Sequence, residues 1–143
     1  MSVRAATLPR MGVVVDYFAA TEAEFAALGL DGSPYRQDLL VVQRKGWLDG
    51  LPSLAAELTG RDRSEFGREI PLSPQGEEYE GPLLLGVPAG ARLALAEVPD
   101  ERLAEYADDE LLDEFETRWV AAIRDLARHA QATGRELYCY SIW

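Results

Sequence analysis

Three reactive side-chain types are almost missing from this chain, which has one cysteine, one histidine and one lysine among its 143 residues. A single thiol, Cys139, cannot close a disulfide within the chain. One Cys and one His also cannot supply the roughly four ligands of a structural zinc site. A nucleophile–histidine catalytic pair would have to use His129. Lys45 follows Arg44 rather than a glycine, which excludes a phosphate-binding P-loop.

Long apolar runs are also missing. No stretch approaches the ~20 residues that a membrane-spanning helix requires, and residues 1–10 lack the apolar centre of a secretory signal. We therefore expect a flexible N-terminal extension over 1–10, a single domain over 11–143, and a cytoplasmic protein without a membrane partner. The start of translation stays open between Met1 and Met11.

Positive charge is scarce in this sequence. Fourteen Lys and Arg residues oppose 25 Asp and Glu residues, which gives a net charge of −11. Nucleic-acid binding requires clustered basic residues that displace counterions, and the sequence has no such cluster, so no nucleic-acid partner is expected. Hydrophobic residues make up 48% of the chain, the share of an ordinary globular domain.

Acidic residues are in excess, and they are concentrated between residues 100 and 116. This segment holds nine Asp or Glu residues against Arg102 alone, a net charge of −8. Glu110, Asp113 and Glu114 have the i, i+3, i+4 spacing of one helical face. The segment lacks the glycine-bearing loop of an EF-hand, so no metal site is predicted. It either docks a basic protein or is a solvated helix start that complements the helix dipole.

Apolar periodicity predicts four strands and four helices in the order β-α-β-α-loop-β-α-α-β. Thr21 and Glu24 form a capping-box sequence, and Gly60 and Gly134 mark helix ends. Residues 61–82 are typical of a long irregular connection, with a short helical turn near 64–66. The predicted strands are 12–19, 38–44, 83–87 and 137–143, and the predicted helices are 21–28, 47–58, 89–98 and 109–133.

The predicted fold is α/β or α+β, a single domain with about four strands in a mixed sheet covered by helices. A long C-terminal helix is followed by a buried terminal strand. Alternation along that strand sets Leu137 and Cys139 on one face and Tyr138, Tyr140 and Ile142 on the other. Both of these faces are substantially apolar, which favours a position inside the sheet over an edge.

Two functions of different classes fit this sequence. The first is a non-catalytic interaction module that holds a basic protein, in the manner of a small immunity or antitoxin-like inhibitor, as a monomer or homodimer. The residues predicted to bind that partner are Asp108, Asp109, Glu110, Asp113 and Glu114. The second is a small-molecule-binding protein or hydrolase with a pocket under residues 61–82. Its candidate polar side chains are Asp16, Tyr17, Arg44 and Tyr140.

No catalytic residue and no cofactor are predicted. His129 lies near the end of the long helix, where its charged form suits the helix dipole. Cys139 falls on a strand that is expected to be buried, where thiols are usually inert packing groups. The sequence therefore favours binding over catalysis.

Three stretches resemble the YfbM-like family of small bacterial proteins. They are the opening string from Met11 to Phe18, the triplet Leu58-Thr59-Gly60 after a helix that opens near Trp47, and the closing long helix with Gly134 and its apolar strand. The resemblance implies a compact α/β domain in an intracellular bacterial setting, and it supplies no catalytic residue. The family tends to carry a His in the helix before its L-T-G triplet, where Ala55 stands here, so any role of that His would be lost.

Overall fold

The computed structural model describes residues 14–29, 33–45, 50–74, 78–79 and 81–142, which form one α+β domain. The strands are β1 (Val14–Ala20), β2 (Val41–Lys45), β3 (Ile70–Pro71), β4 (Leu83–Gly86) and β5 (Glu136–Ile142). The helices are α1 (Glu22–Ala27), α2 (Leu51–Thr59), α3 (Ala89–Ala96), α4 (Asp100–Asp109) and α5 (Glu114–Thr133). All strand pairs are antiparallel, and the sheet order is β2-β1-β5-β4-β3.

The strand β5 lies at the centre of the sheet. It pairs with β1 on one side and with β4 on the other, with Asp16 and Leu84 both opposite Tyr140. Five consecutive residues from Leu137 to Ser141 are buried. The predicted burial of this terminal strand is confirmed, because neighbours on both sides satisfy its backbone polar groups in the ladder.

The main hydrophobic core lies between one face of the sheet and the helices α2, α3 and α5. Val15 and Tyr17 from β1 and Leu137 and Cys139 from β5 point into this core. The helices contribute the apolar side chains that recur at three- and four-residue steps. The largest of these are Leu51, Leu54, Leu58, Leu95, Val120, Ile123 and Leu126.

A second, smaller core covers the opposite face of the sheet. Phe18 and Tyr138 stack there with ring centroids 5.5 Å apart, and Phe25 of α1 stacks on Tyr138 at 4.2 Å. Leu28 at the end of α1 closes this cluster. The alternation predicted for β5 is confirmed, since Tyr138 and Tyr140 lie in this second core while Leu137 and Cys139 lie in the first.

The predicted helix signals are confirmed at three positions. Thr21 and Glu24 form a capping box at the start of α1. Gly60 ends α2 with a φ of 72°, and Gly134 ends α5 with a φ of 66°, the left-handed conformation that glycine adopts without a steric penalty. Glu24 also binds Arg135 through two hydrogen bonds of 2.9 and 3.0 Å, which tie α1 to the residues just before β5.

The prediction for the sheet was wrong in two respects. The observed sheet has five strands rather than about four, and it is antiparallel rather than mixed. The additional strand β3 lies within the predicted connection over 61–82. It is two residues long, exposed, and contains a proline at the sheet edge, so it carries no apolar alternation that a sequence pattern could register. The short helical turn predicted near 64–66 is confirmed as a 3₁₀ turn over Arg63–Phe66.

The predicted helix over 109–133 was also wrong at its start. Asp109 is the last residue of α4, and α5 begins at Glu114 with Asp113 as its N-cap. The predictions for the extension over 1–10, for Met11 and Gly12, and for Trp47 and Trp143 lie outside the described residues. In the described part of the chain, no helix combines the length and apolar character needed to cross a bilayer.

Candidate functional site

The acidic segment contains the connection between α4 and α5 rather than the start of one helix at Asp109. Glu110 is the C-cap of α4, Asp113 is the N-cap of α5, and Glu114 is the first residue of α5. Glu110, Asp113 and Glu114 therefore do not share a helical face, which corrects the prediction. We refer to residues 108–116 as the acidic corner.

Two large apolar side chains project from the acidic corner into solvent. Leu111 is 89% exposed and Phe115 is 78% exposed. Leu111 also has a φ of 52°, and it is the one non-glycine residue with a positive φ in the described part of the chain. For a leucine this left-handed conformation costs roughly 1–2 kcal/mol. The corner thus displays apolar surface on a strained backbone.

The carboxylates around these two side chains differ in their partners. Asp113 Oδ1 accepts the backbone N–H of Glu116 at 2.8 Å in a second capping box. Glu114 pairs with Arg118 at 3.1 Å, and Asp109 lies 4.0 Å from Arg102. Asp108 and Glu110 form no ion pair with any described side chain and are exposed. The corner therefore keeps a net negative charge beside its apolar surface.

A cleft of about 210 Å³ lies beside the acidic corner, between the sheet and the helices α2, α4 and α5. Its walls include the aromatic rings of Tyr17, Tyr106 and Trp119, and its charged side chains are Arg44, Glu57 and Glu116. Leu112 and Glu116 belong to both the cleft and the acidic corner, so the two features are continuous. We call this feature the aromatic cleft.

Arg44 is held on one wall of the aromatic cleft. Its guanidinium carbon lies 4.9 Å from the ring centroid of Trp119, and its Nη2 lies 3.7 Å from the Glu116 carboxylate. Cation–π contact and ion pairing therefore both act on this side chain. The Trp119 Nε1–H is buried and has no hydrogen-bond partner among the described residues.

The two tyrosines of the aromatic cleft are held in the neutral form. Burial, with a smaller contribution from the nearby Glu57 carboxylate, raises the pKa of Tyr106 to about 12. The Tyr106 hydroxyl donates to Glu57 Oε1 at 3.2 Å. Burial also raises the pKa of Tyr17 well above its ordinary value, with a smaller contribution from Cys139. These hydroxyls can donate hydrogen bonds but do not supply a base near neutral pH.

A half-buried acid, Glu69, lies against the edge of the aromatic cleft. A Cβ atom at Gly50, which lines the cleft, would meet Glu69 Oε1 at 2.5 Å. Burial raises the pKa of Glu69, while Arg63 acts in the opposite direction. Glu69 Oε2 has no hydrogen-bond partner in the described part of the chain. Glycine at position 50 is therefore what allows this carboxylate to approach the cleft.

The structure divides the four predicted pocket residues between the two faces of the sheet. Tyr17 and Arg44 line the aromatic cleft, whereas Tyr140 lies in the second core. Asp16 is buried and accepts hydrogen bonds from the Tyr35 hydroxyl at 2.9 Å and from Gln43 Nε2 at 2.8 Å. These four residues do not converge on one pocket, and a small-molecule or hydrolase site under 61–82 stays a prediction.

His129 and Cys139 do not line the aromatic cleft, although Cys139 lies beside Tyr17, which does. His129 is half-buried near the end of α5 and lines a shallow hollow with Asp38 and Arg135. Burial raises the pKa of the Cys139 thiol to about 12, so it is protonated and a poor nucleophile. Among the described residues, no group of three or more His, Cys, Asp or Glu side chains is placed to hold a metal ion.

Comparisons of this chain with protein-family models, with curated proteins and with solved structures give no match. The resemblance to the YfbM-like family therefore stays a prediction. What the chain does has to be argued from its own surface and cleft.

Sequence reasoning missed both the exposed apolar pair at the corner and most of the aromatic cleft. One signal for the corner was readable, because Asp113 and Glu116 have the three-residue spacing of a capping box and so mark a new helix start. The cleft gives no comparable signal. Its side chains come from two strands and three helices, and only the tertiary fold brings them together.

Proposed function

We propose that this chain is a non-catalytic binding module of the bacterial cytoplasm that holds a basic protein at its acidic corner. The observation that carries the proposal is the exposure of Leu111 and Phe115 among the acidic residues of the segment 108–116. Protein–protein interfaces commonly combine a few apolar anchors with a charged rim. The acidic corner combines both within one short segment.

The two apolar anchors belong to neither hydrophobic core of the described residues, and Phe115 has the Arg118 guanidinium over its ring at 5.5 Å. Leu111 and Phe115 bury little surface, so they contribute little to the hydrophobic core. The left-handed backbone conformation of Leu111 lowers the stability of the folded state instead of raising it. A binding role accounts for an apolar side chain that is both strained and exposed, because a partner would cover it.

The charge of the corner supports a basic partner. A basic surface would be attracted by the exposed carboxylates of Asp108, Glu110 and Glu114, and the net charge of −11 would add long-range steering. The rim charges are expected to act mainly on the association rate and on its salt dependence. The apolar pair is expected to act mainly on the dissociation rate.

The proposal is tested by affinity capture from extracts of the cells that express the protein, followed by calorimetry with the purified partner. One variant removes the anchors (Leu111→Asn with Phe115→Gln), and a second removes three rim charges (Asp108→Asn, Glu110→Gln and Glu114→Gln). Each is expected to weaken binding of the captured protein at least about tenfold. Added salt is expected to weaken the wild-type complex.

Matched controls change equivalent residues elsewhere on the surface. Leu40→Asn with Leu93→Gln replaces two other exposed leucines, and Glu22→Gln, Asp38→Asn and Glu97→Gln remove three exposed charges. Both controls should bind the captured protein as the wild type does. The proposal is wrong if no captured protein distinguishes the corner variants from these controls.

A further inference from the structure

We infer that the aromatic cleft receives a basic side chain, arginine or lysine, from the protein that docks at the acidic corner. The inference rests on the proposed function, because the corner supplies the partner and the cleft would select one of its side chains. It is carried by the shape, charge and position of the cleft.

The charge of the aromatic cleft favours a cation. Arg44 is already paired with Glu116 and stacked on Trp119. Glu57 forms no ion pair with any described side chain, and its contact in the cleft is the hydrogen bond from the Tyr106 hydroxyl. One carboxylate is therefore left without a balancing charge, and Glu69 lies close by at Gly50. A ligand with one positive charge would balance Glu57.

The walls of the aromatic cleft suit the apolar stem of a long basic side chain. The half-buried ring of Trp119 is the aromatic surface that a ligand can reach in the cleft. Tyr17 and Tyr106, which also line it, are 1% and 9% exposed, and the Tyr17 ring lies 6.3 Å from the Trp119 ring at an inclination of 56°. Cations are attracted to the faces of such rings, and the methylene groups of Arg and Lys pack against them. Two described arginines already form cation–π contacts with rings of the cleft, since Arg44 lies over Trp119 and Arg102 lies over Tyr106.

The position of the aromatic cleft identifies the source of the side chain. Leu112 and Glu116 line the cleft and belong to the acidic corner. A neighbouring hollow is lined by Phe115, Glu116 and Trp119, so a continuous surface leads from the exposed anchor Phe115 to the cleft. A cleft of about 210 Å³ is smaller than the usual range for drug-sized ligands. A single side chain on a docked partner would fit this volume and this path.

The test uses capped amino acids and the NMR signal of an indole group in the cleft. N-acetyl-arginine methylamide and N-acetyl-lysine methylamide are titrated into nitrogen-15-labelled protein, and N-acetyl-citrulline methylamide serves as the neutral probe of similar shape. The Trp119 Nε1–H signal, assigned with Trp119→Phe, is expected to shift saturably with a basic probe. A dissociation constant in the millimolar range is expected for one side chain. The citrulline probe should bind at least about tenfold more weakly.

The charge requirement is tested with Glu57→Gln combined with Glu116→Gln. Glutamine at 57 can still accept the Tyr106 hydrogen bond, and glutamine at 116 can still complete the capping box, so the local fold is retained. Binding of the basic probes should fall at least about tenfold. The control Glu22→Gln with Glu97→Gln removes the same charge outside the cleft and should leave binding unchanged.

The same variants separate this inference from the proposed function. The anchor variant Leu111→Asn with Phe115→Gln should lose the protein partner and still bind the arginine probe. The inference is overturned if the basic and neutral probes bind equally well, if the double glutamine variant binds the basic probes as the wild type does, or if no saturable shift appears. Partner binding that depends on the corner but not on Glu57 and Glu116 would leave the proposed function standing and remove the role of the cleft.

Discussion

At the corner between α4 and α5, a single leucine adopts a backbone conformation that leucine rarely takes. Leu111 has a φ of 52° and an almost fully exposed side chain. Sequence patterns assigned this residue to the flank of a helical stripe, since Leu112 and Phe115 continue at helical spacing. A side-chain pattern carries no information on the backbone angle of one residue, so this feature could not be predicted.

Replacing Leu111 should separate stability from binding. Asn tolerates the left-handed conformation better than leucine does, and little apolar burial is lost because the leucine is exposed. Leu111→Asn is therefore expected to raise the free energy of unfolding by up to about 1 kcal/mol, as measured by urea denaturation. The control Phe115→Gln, whose backbone is helical, should give no such gain. A lower stability of Leu111→Asn would contradict the strain assigned to this residue.

Among the secondary-structure elements, those with continuous apolar sequence or a clear terminal signal were predicted well. The strands β1 and β5 were placed within two residues of their bounds, and the ends of α2 and α5 at Gly60 and Gly134 were predicted. The helix α4 was not predicted, and the start of α5 was placed at Asp109 instead of Glu114, because acidic residues fit both a helix end and a helix start. The bounds of elements that bury a complete face were therefore predicted more accurately from local sequence than the bounds of elements at the surface.

A buried arginine joins α5 to the segment between α3 and α4. Arg124 is 6% exposed, donates to the Val98 carbonyl at 2.9 Å and pairs with Asp100 and Asp125 at 2.8 Å. Hydrogen bonds of charged groups contribute about 1.5–3 kcal/mol each. Arg124→Met, which keeps the length of the side chain, is therefore expected to lower the free energy of unfolding by about 2–3 kcal/mol in urea denaturation.

The matched control for Arg124 lies on the same helix. Arg118 is exposed and pairs with Glu114 at the i, i+4 spacing, a kind of pair that contributes about 0.3–0.5 kcal/mol. Arg118→Met should therefore change stability by less than about 0.5 kcal/mol. Equal losses from the two substitutions would show that Arg124 acts as an ordinary surface charge.

For the molecule as a whole, the strand order was the part that sequence could not supply. The β5 strand was expected inside the sheet because both of its faces are apolar, and that expectation is confirmed. Its neighbours β1 and β4 could not be named, because antiparallel pairing over more than 100 residues to β1 and more than 50 to β4 leaves no local pattern. The same limit applies to the aromatic cleft, whose residues converge only in the folded chain.

One ion pair links distant parts of this fold and should be visible in the pH dependence of stability. Hydrogen bonds from Arg135 and from the Thr21 backbone lower the pKa of Glu24 to about 2. A depressed pKa stabilises the folded state above the ordinary pKa of the carboxyl, 4.5, and that stabilisation is lost as the pH falls towards 2. Glutamine at this position would keep the capping box without the charge.

The measurement is the Tm of wild type and Glu24→Gln by circular dichroism from pH 7 to pH 2. The variant should melt at a lower temperature at pH 7, and the difference should shrink as the pH falls from about 4.5 to about 2. The control Glu22→Gln, an exposed residue of the same helical turn, should melt in parallel with the wild type. A difference between wild type and Glu24→Gln that stays constant down to pH 2 would rule out the charge as its cause.

The central position of β5 has a consequence for how the protein is made. The sheet consists of two strand pairs, β2-β1 and β4-β3, and β5 alone connects them. Because β5 follows every other described element along the chain, a ribosome delivers it after both pairs have left the exit tunnel. Until then the strand edges of β1 and β4 that later pair with β5 are unpaired, and such edges can pair with strands of other chains and cause aggregation. A chaperone that binds these unpaired edges until β5 is available would therefore raise the yield of native protein.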